Sequence, residues 1–167
     1  YALDNKEVPA SLTIVGGGEI GMEFASFFTS LGVQVTVVEM LDEILGGMDK
    51  ELSAMLRAEY AKKGIKFLLS TKVVGVSKGE TGITVSYENA DGTGTVTADK
   101  LLMSVGRRPV TKGFGLENLN LEWTERRCIK VDEHLQSSVP GVYVCGDLNG
   151  GSLLAHTAGR EAEVAVH

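Results

Sequence analysis

The sequence is poor in the residues that mark secreted, membrane-bound or nucleic-acid-binding proteins. It has two cysteines and three prolines among 167 residues, and its aromatic content is 6%. No apolar run approaches the roughly 18 residues of a membrane-spanning helix, and no charged segment followed by an apolar stretch opens the chain like a secretory signal. The net charge is -6, without a Lys/Arg block that would suit nucleic acid. We therefore expect a cytoplasmic globular protein.

The few cysteines and histidines form neither a metal-binding nor a redox pattern. Cys128 and Cys145 are too far apart for a C-x-x-C pair, and the three histidines are scattered. Cys145 lies in an apolar run and is predicted to be a small buried residue, whereas Cys128 follows two arginines and is predicted to be a partly exposed thiol. We predict no catalytic cysteine and no metal site.

Glycine, in contrast, is abundant, with 21 residues, and one glycine motif stands between a strand pattern and a helix pattern. The apolar segment 12–15 leads directly into Gly16-x-Gly18-x-x-Gly21, and this context is that of a dinucleotide-binding fingerprint. Gly16 would allow the tight turn, Gly18 would leave room for a pyrophosphate, and Gly21 would let helix and strand approach closely. The free amides and the dipole of the helix start favour phosphate charge. The candidate pyrophosphate-binding residues are Gly16, Gly17, Gly18, Glu19, Ile20 and Gly21.

A second strand pattern ends in an acidic residue at the spacing that a dinucleotide site requires. Residues 33–38 suit a strand, and Glu39 follows about 20 residues beyond the glycines. A carboxylate there can accept hydrogen bonds from both ribose hydroxyls of adenosine and would repel a 2′-phosphate. No Arg or Lys lies between Glu39 and Lys50 to offset that repulsion. The predicted ligand is NAD rather than NADP; the alternative is a glycine-rich turn beside a solvated glutamate.

The first part of the chain has the periodicity of an α/β protein. Strand and helix patterns alternate up to residue 69, with Asp49 as a helix N-cap and Gly32 and Gly64 at helix ends. This alternation indicates a parallel sheet with right-handed crossovers.

The pattern then changes twice. Three strand patterns over about 73–97 are too closely spaced for intervening helices and indicate an antiparallel meander. Residues 100–105 form an apolar run that suits a buried strand returning to the parallel sheet. Beyond Gly106, short strands are predicted at 129–131 and 142–145 and a helix at 153–166.

Four stretches together resemble the flavoprotein disulfide reductases, and they cover nearly the whole chain. They are residues 14–23, 37–39, 105–109 and 139–147 with 153–158. Within this family, the acidic residue that favours NAD (Glu39) and the Leu-Ala-His segment at 154–156 most resemble those of the dihydrolipoyl dehydrogenases. The resemblance implies a Rossmann-like, three-layer dinucleotide-binding fold with a parallel sheet and a meander insertion. It also implies an NAD(H)-binding domain at 1–105 and the returning, incomplete part of an FAD-binding domain at 106–167.

The resemblance further implies roles for single residues around the two cofactors, NAD and FAD. Val73 would lie beside the adenine ring, and Gly106 would lie near the nicotinamide, where a side chain would obstruct the dinucleotide. Glu23 matches a family carboxylate near the nicotinamide amide and the flavin ring; the alternative is a solvated helical acid. Asp147 would bind the ribityl chain of FAD, with Ala155 backing the flavin ring; a turn-closing aspartate is the alternative.

The chain departs from the family where the family's redox chemistry resides. It has no C-x-x-x-x-C disulfide motif, no second glycine fingerprint for the ADP of FAD, and no His-Pro pair. It starts at Tyr1 and stops inside a helical pattern, so we expect an inactive piece of a larger enzyme with further N-terminal and C-terminal domains. The implied parent is a homodimer in a 2-oxo acid dehydrogenase or glycine cleavage complex. The alternatives are an NADH oxidase, a mercuric or CoA-disulfide reductase, or a non-catalytic NAD-binding module.

Overall fold

The computed structural model describes residues 4–167, and the chain divides into two compact units. The first unit is Tyr1–Gly106 and the second is Arg107–His167. Residues 1–3, with which the predicted NAD(H)-binding domain begins, lie outside the described residues. Within residues 4–167, no helix is long and apolar enough to cross a membrane.

The first unit combines a parallel sheet with an antiparallel one. Its elements are β1 (Ser11–Val15), α1 (Glu19–Ser30), β2 (Gln34–Val38), α2 (Lys50–Lys62), β3 (Lys66–Leu68), β4 (Lys72–Gly79), β5 (Gly82–Asn89), β6 (Gly92–Ala98) and β7 (Lys100–Met103). The parallel sheet has the order β3-β2-β1-β7, and the antiparallel sheet has the order β4-β5-β6. The predicted α/β class, parallel sheet and meander are confirmed.

The parallel sheet is stable because its central strand β1 is buried on both faces. β1 is buried from Leu12 to Val15, and α1 packs into the same core with Met22, Ala25 and Phe28. Burial of a large aliphatic or aromatic side chain contributes roughly 1.5–3 kcal/mol. The core therefore fixes the end of β1 and the start of α1, the two elements that flank the glycine motif.

The helices of this unit begin and end where the sequence predicts. Gly32 (φ +83°) follows α1 and Gly64 (φ +95°) follows α2, both in the left-handed region. After α1, the Val33 N–H donates to the Phe28 carbonyl at 3.1 Å, and the same pattern closes α2. The side chain of Asp49 accepts hydrogen bonds from the second and third amides of α2.

The returning strand differs from the prediction in its length and its burial. β7 ends at Met103 rather than at Val105, and these two residues are 53% and 68% exposed. Among the described strands β7 pairs only with β1, so it forms an edge of the sheet. A strand with a neighbour on one side is less covered, which is why this apolar run is not buried.

The second unit has little regular structure. It contains short 3-10 helices at Leu116–Asn118 and Gly146–Leu148, and the helix α3 (Ala155–Val166). Its core is formed by Leu121, Ile129 and Val144. The predicted C-terminal helix is confirmed, with its start at Ala155.

The two strands predicted in the second unit are wrong. Residues 129–131 and 142–145 take part only in isolated bridges, such as those of Ile129 with Trp123 and of Tyr143 with Gln136. Left-handed residues interrupt the pairing, among them Leu135 (φ +65°) and Gly141 (φ +78°). Such turns reverse the chain before a ladder can extend.

Candidate functional site

The turn between β1 and α1 has a backbone that side chains would obstruct. Gly16 has φ +103°, and a Cβ on it would lie 2.4 Å from the Ser104 carbonyl oxygen. A Cβ on Gly21 would lie 2.1 Å from the Gly16 carbonyl oxygen, so α1 passes directly against the turn. Gly18 differs, because a Cβ there would meet nothing within 4 Å. The turn is therefore closely packed at its first and last glycines and open at its middle one.

The structure brings the acidic residue at the end of β2 onto this turn. Glu39 Oε2 accepts a hydrogen bond from the Gly17 N–H at 2.5 Å. Its other oxygen, Oε1, accepts one from the Leu41 N–H at 2.8 Å. A Cβ on Gly17 would lie 3.2 Å from Glu39 Oε2, so the absent side chain permits the close approach. The glycine motif and the acid thus form one arrangement.

The loop after β2 supports the glycine turn through contacts that the sequence does not predict. The Leu45 N–H donates to the Gly17 carbonyl at 2.9 Å, and Ile44 beside it is fully buried. Glu43 binds Arg57 of α2 with both oxygens, at 2.8 and 3.0 Å. The hydrogen bonds from the Arg57 guanidinium hold the pKa of the Glu43 carboxyl below its usual value. This pair ties the loop to α2.

Ser104 is a second contact residue that sequence reasoning missed. Its hydroxyl donates toward the carbonyl oxygens of Gly16 at 2.8 Å and Val15 at 3.0 Å. It lies just beyond β7, whose end neighbours the end of β1 in the parallel sheet. Adjacent parallel strands end at the same edge of a sheet. This rule is the one signal in the sequence from which Ser104 could have been expected near the glycine turn.

The remaining candidates at the start of α1 face outward. Glu19 and Ile20 lie in the first turn of α1 and are exposed. Glu23 is also exposed, and its side chain makes no hydrogen bond or ion pair with any described residue. These positions are accessible to a ligand at the helix start.

Two further candidates lie where the chain leaves the sheet. The Thr71 N–H donates to the Glu39 carbonyl at 2.9 Å, so β4 begins beside the acid, and Val73 lies half-buried in β4. Gly106 has φ +102°, and a Cβ on it would meet nothing within 4 Å. The backbone of Gly106 is strained for other residues, while the space beside it is open.

In the second unit, a partly buried network holds the turn that carries Asp147. The Gly146 N–H donates to Glu161 Oε2 at 2.6 Å, and the Asn149 side-chain amide donates to the same oxygen at 2.9 Å. Gly146 has φ +72°, and a Cβ on it would lie 3.1 Å from the Ala158 Cβ. Glu161 of α3 was not predicted, because its partners are backbone and amide groups that become its neighbours only in the fold.

Asp147 itself is exposed and lines a cleft of about 340 Å³ within the second unit. Leu148 and residues 107–110 form the rest of the lining. Ala155 opens α3, which packs against the short helix that carries Asp147. The carboxylate is an acceptor-only group in the lining of this cleft, which suits a hydroxyl-bearing ligand.

The cysteines are placed the opposite way from the prediction. Cys128 is buried, 7% exposed, and a Cβ on Gly150 would lie 2.5 Å from its sulfur, so a close backbone approach covers it. Cys145 is half-buried. Burial, and secondarily the charge of Glu161, raises the pKa of the Cys145 thiol. Two preceding arginines did not imply exposure, because the chain turns inward at Cys128.

Comparison with known proteins identifies the family to which the chain belongs. A family model described as pyridine nucleotide-disulphide oxidoreductase matches residues 1–162. The chain belongs to the pyridine nucleotide-disulphide oxidoreductase family. This family uses FAD and NAD(P), and the resemblance drawn from the four sequence stretches is confirmed.

Two curated relatives show which members of this family the chain resembles. The chain is 40% identical over 164 residues to a dihydrolipoyl dehydrogenase of Geobacillus stearothermophilus, covering 98% of this chain and 35% of that protein. It is 42% identical over 168 residues to the mitochondrial dihydrolipoyl dehydrogenase of Caenorhabditis elegans, covering 99% and 34%. The chain thus spans about a third of the length of these relatives.

Solved structures share its fold over almost its whole length. LpdA of Mycobacterium tuberculosis matches with a TM-score of 0.88 and 31% identity, over 97% of this chain and 35% of that one. The HOCl-induced flavoprotein disulfide reductase RclA of Escherichia coli matches with a TM-score of 0.88 and 29% identity, over 98% and 36%. The chain therefore has the fold of the corresponding part of these two proteins.

Proposed function

We propose that the chain is the NAD(H)-binding domain, with the returning part of the FAD-binding domain, of a dihydrolipoyl dehydrogenase. We assign residues 1–105 to the NAD(H)-binding domain and residues 106–167 to the returning part of the FAD-binding domain. The observation that carries the proposal is the carboxylate of Glu39 held on the Gly17 N–H beside an unobstructed Gly18. The 40% and 42% identities to dihydrolipoyl dehydrogenases support the choice within the family.

The glycine turn fits an NAD molecule in its chemistry. A pyrophosphate would lie over Gly18, where the space that a Cβ would take is open, and would meet the amides of Glu19 and Ile20 at the helix start. Glu39 has lone pairs beyond the two that its backbone partners occupy, so it can also accept the ribose hydroxyls. A 2′-phosphate in their place would meet a carboxylate, which disfavours NADP. Val73 and Gly106 would adjoin the adenine and nicotinamide ends.

The second unit offers a partial flavin site. Asp147 would accept hydrogen bonds from ribityl hydroxyls, with Ala155 behind the flavin ring. In the first unit, Glu23 would lie near the nicotinamide amide. In the parent, electrons from dihydrolipoamide would reach NAD through a disulfide and FAD, and those groups supply the redox chemistry. The residues of this chain bind and orient the cofactors. We propose a homodimeric parent in a 2-oxo acid dehydrogenase or glycine cleavage complex.

The isolated chain should bind NAD without oxidising dihydrolipoamide. It contains no C-x-x-x-x-C motif to react with the dithiol and no His-Pro pair to move its protons. Calorimetric titration with NAD and NADP, beside a dihydrolipoamide assay, tests both statements. The Gly18→Ala chain is the matched control, because its added Cβ would occupy the open position without meeting protein atoms within 4 Å. Absence of NAD binding, equal binding by the control, or turnover by the isolated chain would contradict the proposal.

The similarity to RclA favours one other candidate, a different flavoprotein disulfide reductase. An NADH oxidase or a mercuric or CoA-disulfide reductase would use the same NAD-binding segment with another redox centre. An assay of the full-length parent with dihydrolipoamide and NAD separates these enzymes, because only the proposed activity reduces NAD with that dithiol.

A further inference from the structure

Basic residues collect on one concave face of the second unit. A cleft of about 770 Å³ is lined by residues 107–112 and 125–127, and five of these residues are basic. They are Arg107, Arg108, Lys112, Arg126 and Arg127. Glu125 is the one acid among the described residues that line it, although the whole chain has a net charge of -6. Clefts for small ligands have volumes of roughly 300–1,000 Å³, so the space suits a nucleotide-sized anion.

The basic side chains of this cleft have no acidic partner among residues 4–167, whereas the other lysine and the other arginine of the unit each have one. Lys130 pairs with Glu122, and Arg160 pairs with Glu163. None of the five cleft residues forms an ion pair with a residue of the described chain. Several unpaired cations around one concavity create a positive potential that an anion would relieve.

The arginines on one wall are presented by a closed turn. The Thr124 N–H donates to the Cys128 carbonyl at 2.8 Å, and the Arg127 N–H donates to the Thr124 carbonyl at 2.9 Å. Arg127 has φ +62°, a left-handed conformation that is uncommon for a residue with a side chain. Cys128 anchors the turn in the core. The turn thus fixes the backbone of Arg126 and Arg127 at the cleft.

We propose that this cleft binds a small anion with two linked phosphate groups, either inorganic pyrophosphate or the diphosphate of a nucleotide. A planar guanidinium can donate two parallel hydrogen bonds to one phosphate, and arginines on both walls can serve more than one phosphate. The inference goes beyond the proposed function, since the pyrophosphate of NAD is assigned to the glycine turn of the first unit. No phosphate of FAD is assigned to this cleft, although residues 107–110 also line the cleft of Asp147.

Chemical-shift mapping by NMR on the full 167-residue chain tests the site with sodium pyrophosphate, ADP and adenosine as probes. We expect pyrophosphate and ADP to shift the amides of residues 107, 108, 110–112 and 125–127, and adenosine to leave them unchanged. Tighter binding of ADP than of pyrophosphate would identify a nucleotide as the source, and equal binding would identify the free diphosphate. Failure of both to shift these amides would overturn the proposal, and shifts at residues 16–21 report separately on the NAD site.

A charge-matched pair of variants separates a site from general attraction. The cleft variant is Arg126→Gln with Arg127→Asn, because asparagine tolerates the left-handed backbone of position 127. The control is Lys130→Gln with Arg160→Gln, which removes the same charge outside the cleft. We expect the cleft variant to weaken pyrophosphate binding about tenfold or more, and the control by less than about twofold. Equal losses in the two variants would overturn the proposal.

Discussion

Glu39 and Gly17 are joined by a hydrogen bond of 2.5 Å between a side-chain oxygen at the end of β2 and a backbone N–H in the turn after β1. The Leu41 N–H holds the second oxygen at 2.8 Å. The carboxylate is therefore oriented by the protein alone. Because its rotamer freedom is already restricted, a ligand that uses it loses less free energy to ordering on binding.

Replacing Glu39 by glutamine should weaken NAD binding by about 1–2 kcal/mol, because the acceptor loses its charge and one of its two oxygens becomes an NH2 group. NADP should lose less, since the repulsion of its 2′-phosphate is also removed. Calorimetric dissociation constants for both nucleotides measure the change. Glu51→Gln, at an exposed position of α2, is the control and should alter neither constant. An unchanged NAD constant in Glu39→Gln would exclude Glu39 from the site.

The same substitution at two glycines should separate folding from binding. Gly21→Ala places a Cβ 2.1 Å from a backbone oxygen, so we expect it to lower the free energy of unfolding by about 1–3 kcal/mol or more. Gly18→Ala meets no protein atom and should cost at most about 1 kcal/mol at this N-cap position, yet reduce NAD affinity. Urea unfolding and calorimetry measure the two effects. A stable Gly21→Ala chain would contradict the packing argument.

Glu161→Gln should loosen the turn around Asp147. Both hydrogen bonds end on one Glu161 oxygen, and in glutamine that acceptor is neutral, so we expect a loss of about 1–2 kcal/mol of unfolding free energy. Removing the negative charge should also lower the pKa of the Cys145 thiol, so its alkylation by iodoacetamide should begin at lower pH. Mass spectrometry of the modified peptide follows this residue separately from Cys128. Glu163→Gln, on the same helix and exposed, should change neither quantity.

The ion pair between Glu43 and Arg57 should make stability depend on pH in the acid range. The folded pKa of Glu43 lies below its ordinary value of 4.5, so the pair stabilises the fold above that value and is lost as pH falls through the lowered pKa. Glu43→Gln should cost about 1 kcal/mol at neutral pH, a modest figure because the Arg57 side chain is 35% exposed.

Urea unfolding of this variant and the unchanged chain at neutral and acidic pH measures the effect. The difference between them should vanish in acid. Glu59→Gln removes an exposed pair with Lys62 and should show no measurable difference at either pH. A Glu43→Gln difference that persisted in acid would show that the ion pair is not its cause.

Much of the first unit could be predicted from sequence because its signals are local. The strand at Ser11–Val15, the cap at Asp49 and the helix ends at Gly32 and Gly64 each depend on residues within a few positions of one another. The acid at Glu39 was predictable because strand length and crossover geometry fix its distance from the glycines.

Contacts between distant segments were not predictable in the same way. Ser104 meets Gly16, and Glu161 meets Gly146, only after strands or helices have packed. The predicted exposures of the two cysteines were the reverse of the observed ones. The arginines before Cys128 lie in an exposed turn and do not indicate whether the next residue is buried. The close approach of Gly150 decides the burial of Cys128. The strand at 142–145 was wrong because an apolar run does not reveal whether a partner strand exists.

β7 has a consequence for handling the isolated chain. Its outer row of amide and carbonyl groups has no neighbouring strand among the described residues, and exposed Met103 and Val105 lie at its end. An exposed, apolar edge strand can pair with a strand of another molecule. We therefore expect this polypeptide to self-associate through β7 in concentrated solution. Replacing Met103 by lysine is the simplest substitution that should reduce this association.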